Sequence, residues 1–309
     1  MRLIGIGGGH IDRRGQIAGD YVPAASNPGR MLEDIGGGAL NALRNAVQRG
    51  QACTFVSVRG GDSAGEQVSR AISDAGIADL SATFLDRTTP SYTALLDRHG
   101  DLIAGFADMG LYDLAFPKQL RRSTIRHVIA TQDAVLCDAN IPAIGLERLA
   151  ALSEAQPIFA IAVSPAKVVR LRTILANLAC LFMNITEARV LAASADISAI
   201  EAAQVLRSTG LQAGVITSGG GELILFDEQG AFSLQPPPPT RLVDVTGAGD
   251  ALAGVTISAL LEGSKFQDAV RQGVAAALLT LESGKAVSQL EPDSFAKKLA
   301  LVPQARQMA

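Results

Sequence analysis

The chain has 309 residues, 48% hydrophobic and 18% charged, with 27 basic residues against 30 acidic ones and a formal net charge of −3. A disordered chain is poor in aliphatic residues, a collagen repeats glycine at every third position, and a nucleic-acid-binding domain carries a basic excess, so all three classes are excluded. The length suits about two domains or one α/β domain with an inserted lobe. With 10 Phe, 3 Tyr and no Trp the core has to be aliphatic and alanine-rich, as when helices pack on a parallel sheet.

RLIGIG (2–7) opens the chain as a buried strand, too short for a signal-peptide core and without a cleavage pattern. No run reaches about 18 apolar residues, so no membrane span and a cytoplasmic location are expected. Residues 12–35 are rich in turn formers and read as an antiparallel excursion. A helix (39–50), a strand (53–58) and a helix capped by Ser63 (63–76) follow. A second excursion spans 88–110, where RHGD between TALLD and LIAGFAD marks a hairpin, and the two excursions together are expected to form a small sheet acting as a lid. Strands at 134–139, 158–163 and 178–184 alternate with helices at 142–155, 186–193 (capped by Thr186) and 197–210. Strands at 213–218 and 223–228 lead to a proline run at 236–239, which reads as an extended connector. The βαβ rhythm predicts a parallel sheet covered on both faces. Cys53, Cys137 and Cys180 lie in apolar stretches and read as buried thiols in a reducing compartment, and His10, His99 and His127 lack metal-ligand spacing.

The chemistry concentrates in RLVDVTGAGDALAGVTISALLEG (241–263). Its first four residues are strand-like, TGAG is nearly free of side chains, and an apolar helical pattern begins at Asp250. Gly247, Ala248 and Gly249 can turn their amides towards one point at a helix start, where an anion is favoured. Asp250 beside that point is placed to take a proton from a hydroxyl attacking a bound phosphate. A plain glycine turn with a helix-capping aspartate would give the same short string. IGIGGGH places His10 where a dinucleotide fingerprint has its third glycine, and no G-x-x-x-x-G-K-[ST] occurs.

Asp244, Thr246, the Gly-Ala-Gly run, Asp250 and Gly254 together resemble the second signature, D-x-T-G-A-G-D, of the ribokinase-like (PfkB) family of sugar and nucleoside kinases. DIGGGALNALRNAVQRG (34–50) resembles the first signature, Asp12 matches the substrate-binding acid after the first strand, and NITE (184–187) matches the N-x-x-E element. The resemblance implies a three-layer αβα fold with a mostly parallel central sheet and a small β-sheet lid, within one domain over 1–309. It implies that Asp12, Gly37, Gly38 and Asn41 hold the acceptor and Asp250 is the base. Asn184, Glu187, Thr217, Ser218, Gly219, Asp244 and Thr246 would serve the nucleotide, with residues 271–283 as a wall near adenine. ATP and Mg²⁺, the latter met by Glu187 through water, are the implied cofactors, with a monovalent cation such as K⁺ in addition. A homodimer through the lid strands is implied, with no nucleic-acid or membrane partner. Within the family, SNPG (26–29), TPSYTALLDRHGD (89–101), ADM (107–109) and CDANI (137–141) resemble bacterial pseudouridine kinases. That resemblance adds Asn27, Ser91, Thr93 and Asn140 as acceptor contacts. Two departures, AVSPAK with Ser164 where Asp is usual and His10 in GGGHID, leave the acceptor open. A ribokinase or other sugar or nucleoside kinase is the alternative, and a non-catalytic sensor and a dehydrogenase are the readings from other classes.

Overall fold

A computed structural model describes residues 1–308. The strands in chain order are β1 (Arg2–Ile6), β2 (His10–Ile17), β3 (Gly29–Gly36), β4 (Ala52–Val56), β5 (Val58–Gly60), β6 (Ala78–Asp79), β7 (Ala82–Phe84), β8 (Ser91–Leu96), β9 (Leu102–Asp108), β10 (Ala134–Asp138), β11 (Ile158–Ile161), β12 (Leu178–Asn184), β13 (Gly214–Thr217), β14 (Leu223–Asp227), β15 (Gly230–Leu234) and β16 (Arg306–Gln307). Ten of them form one sheet in the order β16, β15, β14, β13, β12, β11, β10, β1, β4, β6. Pairing is parallel from β6 to β13 and antiparallel from there to β16.

The parallel strands are near-continuous aliphatic runs because helices cover both faces. Alternate residues feed opposite cores: Leu3, Phe55 and Leu136 pack with helices Gly38–Gln48, Ala248–Leu261 and Phe266–Leu281. Ile4, Val56 and Val135 pack with helices Gly110–Gln119, Ala143–Leu152 and Ala199–Ser208 on the other side. The result is the three-layer αβα architecture that the βαβ rhythm predicts. Some details differ from the sequence expectation. Asp62 rather than Ser63 caps helix Ser63–Asp74, and Asn184 rather than Thr186 caps helix Ile185–Leu191, in each case through a side-chain oxygen that accepts the amide three residues on. Residues 241–244 form no strand, and the helix after them starts at Ala248 rather than Asp250. Helix Gly110–Gln119 was not foreseen because it contains Pro117 and its apolar residues follow no stripe.

A separate four-stranded sheet, in the order β3, β2, β8, β9, joins two hairpins through the parallel pair β2–β8. Paired residues share a face, so Asp12, Arg14, Asp34 and Tyr92 lie on one side. Ile11, Arg13, Glu33, Ser91 and Thr93 lie on the other. Among the described residues no helix is long and apolar enough to cross a membrane.

Candidate active site

The site forms where β1 and β10 end and the lid strand β3 runs into helix Gly38–Gln48. Three successive glycines make the junction, each for its own reason. A Cβ on Gly36 would lie 2.2 Å from Asp12 Oδ2, so Gly36 leaves room for that carboxylate. Gly37 has φ +121° and its Cβ would lie 1.9 Å from the Gly8 carbonyl oxygen, so only glycine fits. A Cβ on Gly38 would lie 3.4 Å from Asp250 Oδ1, which brings the helix start beside that acid. The helix lacks a cap of its own, and Asp138, fully buried at the end of β10, supplies one from across the sheet. Its carboxylate accepts the amides of Ala39 (3.1 Å), Gly8 (2.9 Å) and Asn140 (2.9 Å).

The second arm is the turn before helix Ala248–Leu261. Asp244 Oδ1 accepts from the amide and hydroxyl of Thr246 (2.9 and 2.8 Å), and Oδ2 accepts from the Arg14 guanidinium on β2. Arg14 also binds Asp34 on β3 at 2.5 Å, so the lid is tied to the turn. These bonds hold the Asp244 carboxyl below its usual range against the opposing effect of burial. Gly247 has φ +80°, and a Cβ there would lie 1.9 Å from the Ala286 carbonyl oxygen. The 2.8 Å bond from the Ala251 amide to the Gly247 carbonyl starts the helix, leaving the first-turn amides of Gly249 and Asp250 unused by it.

Asp250 Oδ2 accepts a 3.1 Å hydrogen bond from Asn41 Nδ2. Burial pushes its carboxyl up to about 7, opposed by the Asn41 bond and reinforced by the charges of Asp138, Asp12 and Glu187. A carboxylate poised there can accept a proton near neutral pH. It stands in the wall of a cavity of about 770 Å³, with Ala248, Gly249, Asn184, Glu187, Thr217 and Gly219 as neighbours. The rest is apolar: Leu252, Val274, Ala277, Leu278, Leu281 and the prolines 236–239. Such a mix, an apolar slot leading to a few convergent polar groups, suits a ring system joined to a charged tail. Asn184 and Glu187 also form a capping box, with the Glu187 side chain accepting the Asn184 amide (2.7 Å) and the Glu187 amide donating to Asn184 Oδ1 (2.9 Å). Burial raises the Glu187 carboxyl. Among the described residues no three His, Cys, Asp or Glu side chains group as metal ligands. A hard cation here would therefore depend on one protein carboxylate, water and ligand oxygens, an arrangement that suits Mg²⁺.

Residues 13–293 match the model of the pfkB family carbohydrate kinases. The chain belongs to this family. It is 27% identical over 283 residues to "Pseudouridine kinase" of Escherichia coli (strain K12), covering 90% of each, and 26% identical over 296 residues to "Ribokinase" of Haemophilus influenzae, covering 89% of this chain and 93% of that one. Among solved structures, a carbohydrate kinase from Agrobacterium tumefaciens is 44% identical with a TM-score of 0.86, covering 99% of both chains. The ribokinase of Arabidopsis thaliana complexed with ribose and ATP shares the fold, with a TM-score of 0.84 at 19% identity over 96% of this chain and 98% of that one.

Within this kinase fold the structure brings Asp12, Gly37, Gly38, Asn41 and Asp250 to one junction, and Ala248, Gly249, Asn184, Glu187, Thr217 and Gly219 share one cavity. Other expected residues are placed differently. The amide of Asn27 is spent within its own loop, accepting from the Val22 amide and donating to the Val22 and Ala25 carbonyls. Ser91 and Thr93 lie on the lid face opposite Asp12, and Tyr92 occupies the Asp12 side. Asn140 is fully buried, with Oδ1 accepting from Lys167 Nζ at 2.6 Å and Nδ2 without a partner among the described residues. Asp244, Thr246 and Gly247 brace the turn, and neither they nor Ser218 line the cavity. Sequence reasoning missed the remote cap Asp138, the tie Arg14 and the contact Lys167. The last of these follows Val163, whose φ of +69° is a strained conformation for a β-branched residue and is visible only in the structure.

Proposed function

We propose that this kinase transfers the γ-phosphoryl group of ATP to the primary hydroxyl of a nucleoside, with pseudouridine as acceptor. The observation that carries the reading is Asp250, ionisable near neutral pH, hydrogen-bonded to Asn41 and set in the first turn of a helix whose first residues, Ala248 to Asp250, line a cavity. Adenine would lie against Val274, Ala277 and Leu278, and the phosphates would run towards Gly249. Asp250 takes the hydroxyl proton as the acceptor oxygen bonds to the γ-phosphorus and the bond to the β,γ-bridging oxygen breaks, releasing ADP. Asp12 and Asn41 orient the sugar. Glu187, through water, and chiefly the phosphates would hold Mg²⁺, which would supply charge neutralisation when bound.

The pseudouridine assignment is supported by the resemblance of residues 26–29, 89–101 and 137–141 and by the relative of that name at 27% identity. Ribokinase activity is the alternative, favoured by the Haemophilus influenzae relative. An ADP-release assay over pseudouridine, uridine, adenosine, cytidine and ribose decides between them, with pseudouridine expected to give the highest kcat/KM. Binding without turnover would indicate a sensor, and a melting-temperature rise with NADH but not ATP would indicate a dehydrogenase. We also propose a homodimer formed through the lid.

A further inference from the structure

One part of the site is unused by the mechanism above. His10 is only 6% exposed and Tyr112, on helix Gly110–Gln119, only 1%. The Gly9 amide donates to the Tyr112 hydroxyl oxygen at 2.9 Å, that hydroxyl lies 3.1 Å from His10 Nδ1, and His10 Nε2 lies 3.3 Å from Asp12 Oδ1. The protons can be placed on chemical grounds. The tyrosine oxygen receives the Gly9 proton, so its own hydrogen is free to point at Nδ1. A neutral imidazole accepting at Nδ1 carries its hydrogen on Nε2, the nitrogen that faces the Asp12 carboxylate at 3.3 Å. Every link points the same way, from the core towards Asp12 on the lid strand β2.

We propose that Tyr112 and His10 are positioning residues that fix the Asp12 carboxylate for the acceptor hydroxyls. The chain holds Oδ1 towards His10, and Gly36 leaves the space in which Oδ2 sits. A partly exposed acid on a lid strand would otherwise sample several rotamers, and each acceptor binding event would have to freeze it. The proposal rests on the reading of Asp12 as an acceptor contact. Because Asp12 holds ground state and transition state alike, losing its orientation should weaken acceptor binding with little change in turnover.

Two measurements test this. The first needs no turnover: ¹⁵N spectra of the imidazoles, with His10 assigned by loss of its signals in His10→Gln. The expected result is the Nε2–H tautomer for His10, altered by Tyr112→Phe. An Nδ1–H tautomer, or signals indifferent to Tyr112→Phe, would overturn the chain. The second measures calorimetric Kd values for pseudouridine and ribose alongside steady-state kinetics. Tyr112→Phe and His10→Phe should raise the Kd and KM of the better-bound acceptor roughly 3- to 12-fold, the worth of one hydrogen bond, with kcat and the KM for ATP within about twofold. His10→Gln, whose amide can still donate to Asp12, should recover most of the loss. Unchanged acceptor affinity, or equal losses in kcat and in the KM for ATP, would refute the positioning role. A wild-type protein that binds acceptor without phosphorylating it would overturn the kinase reading alone, since the spectra and the Kd values would still decide the role of His10.

Discussion

At the scale of single residues Asp250 carries the most weight. If it takes the acceptor proton, Asp250→Asn should lower kcat by about 10²–10⁴ in a coupled ADP assay, and near-normal turnover would contradict the assignment. The pH profile has a definite sign: kcat/KM should rise as pH passes through about 7, where the carboxyl ionises. The same shift costs stability. Between the ordinary 3.8 and about 7 the folded chain keeps a proton that the unfolded chain has released, so stability falls as pH rises across that window. Asp250→Asn should accordingly melt higher than the wild type at pH near 8, by a margin that shrinks as pH drops towards 4, which a series of melting curves would show. The signature was legible because its glycines and acid are contiguous. Ser91 and Thr93 were misplaced because strand pairing alone decides which face a side chain takes. The link from His10 to Tyr112 joins residues 102 positions apart, beyond the reach of local pattern.

Among the elements, helix Ala248–Leu261 delivers Asp250 and is buried nearly all round. It is seated by glycines at its crossings: a Cβ on Gly254 would lie 2.2 Å from the Ala42 carbonyl oxygen, and one on Gly273 would lie 2.2 Å from Thr256 Oγ1. Gly254→Ala should therefore destabilise the fold by about 1–3 kcal/mol in urea titrations and lower kcat, since Ala42 adjoins Asn41. A stability unchanged within about 0.5 kcal/mol would show that the two helices separate freely. The Arg14 bridge makes a different prediction. Its partners are partly exposed, so Arg14→Met should cost only about 1 kcal/mol of stability. Its larger effect should be a fall of roughly tenfold in kcat/KM for both substrates, because lid and turn lose their shared anchor. Aliphatic periodicity made the main strands and helices readable, whereas the cap by Asp138 and the Asp244–Arg14 pair depend on contacts made across the fold.

For the whole molecule, the lid face away from Asp12 carries exposed apolar side chains beside the Arg13–Glu33 ion pair. Met31 is 56% exposed and Phe106 68%, and Met31 and Leu95 flank Gly15 on that same face. A second copy seated there would explain these side chains, so light scattering should give a mass near twice 32.0 kDa. Phe106→Glu should return it towards a single chain, and a wild-type mass of 32.0 kDa would remove the dimer. The βαβ rhythm made the layered architecture readable. It did not reveal the sheet order, because which strands become neighbours is settled by how the crossovers pack. The lid has one more consequence. Its strand β2 contains Asp12 and its strand β3 ends at Gly36, so no hinge separates it from the residues proposed to hold the acceptor. Grafting this flap from a cousin enzyme would transplant its taste for acceptors as well, and swapping flaps is thus a direct way to re-tune what the scaffold phosphorylates.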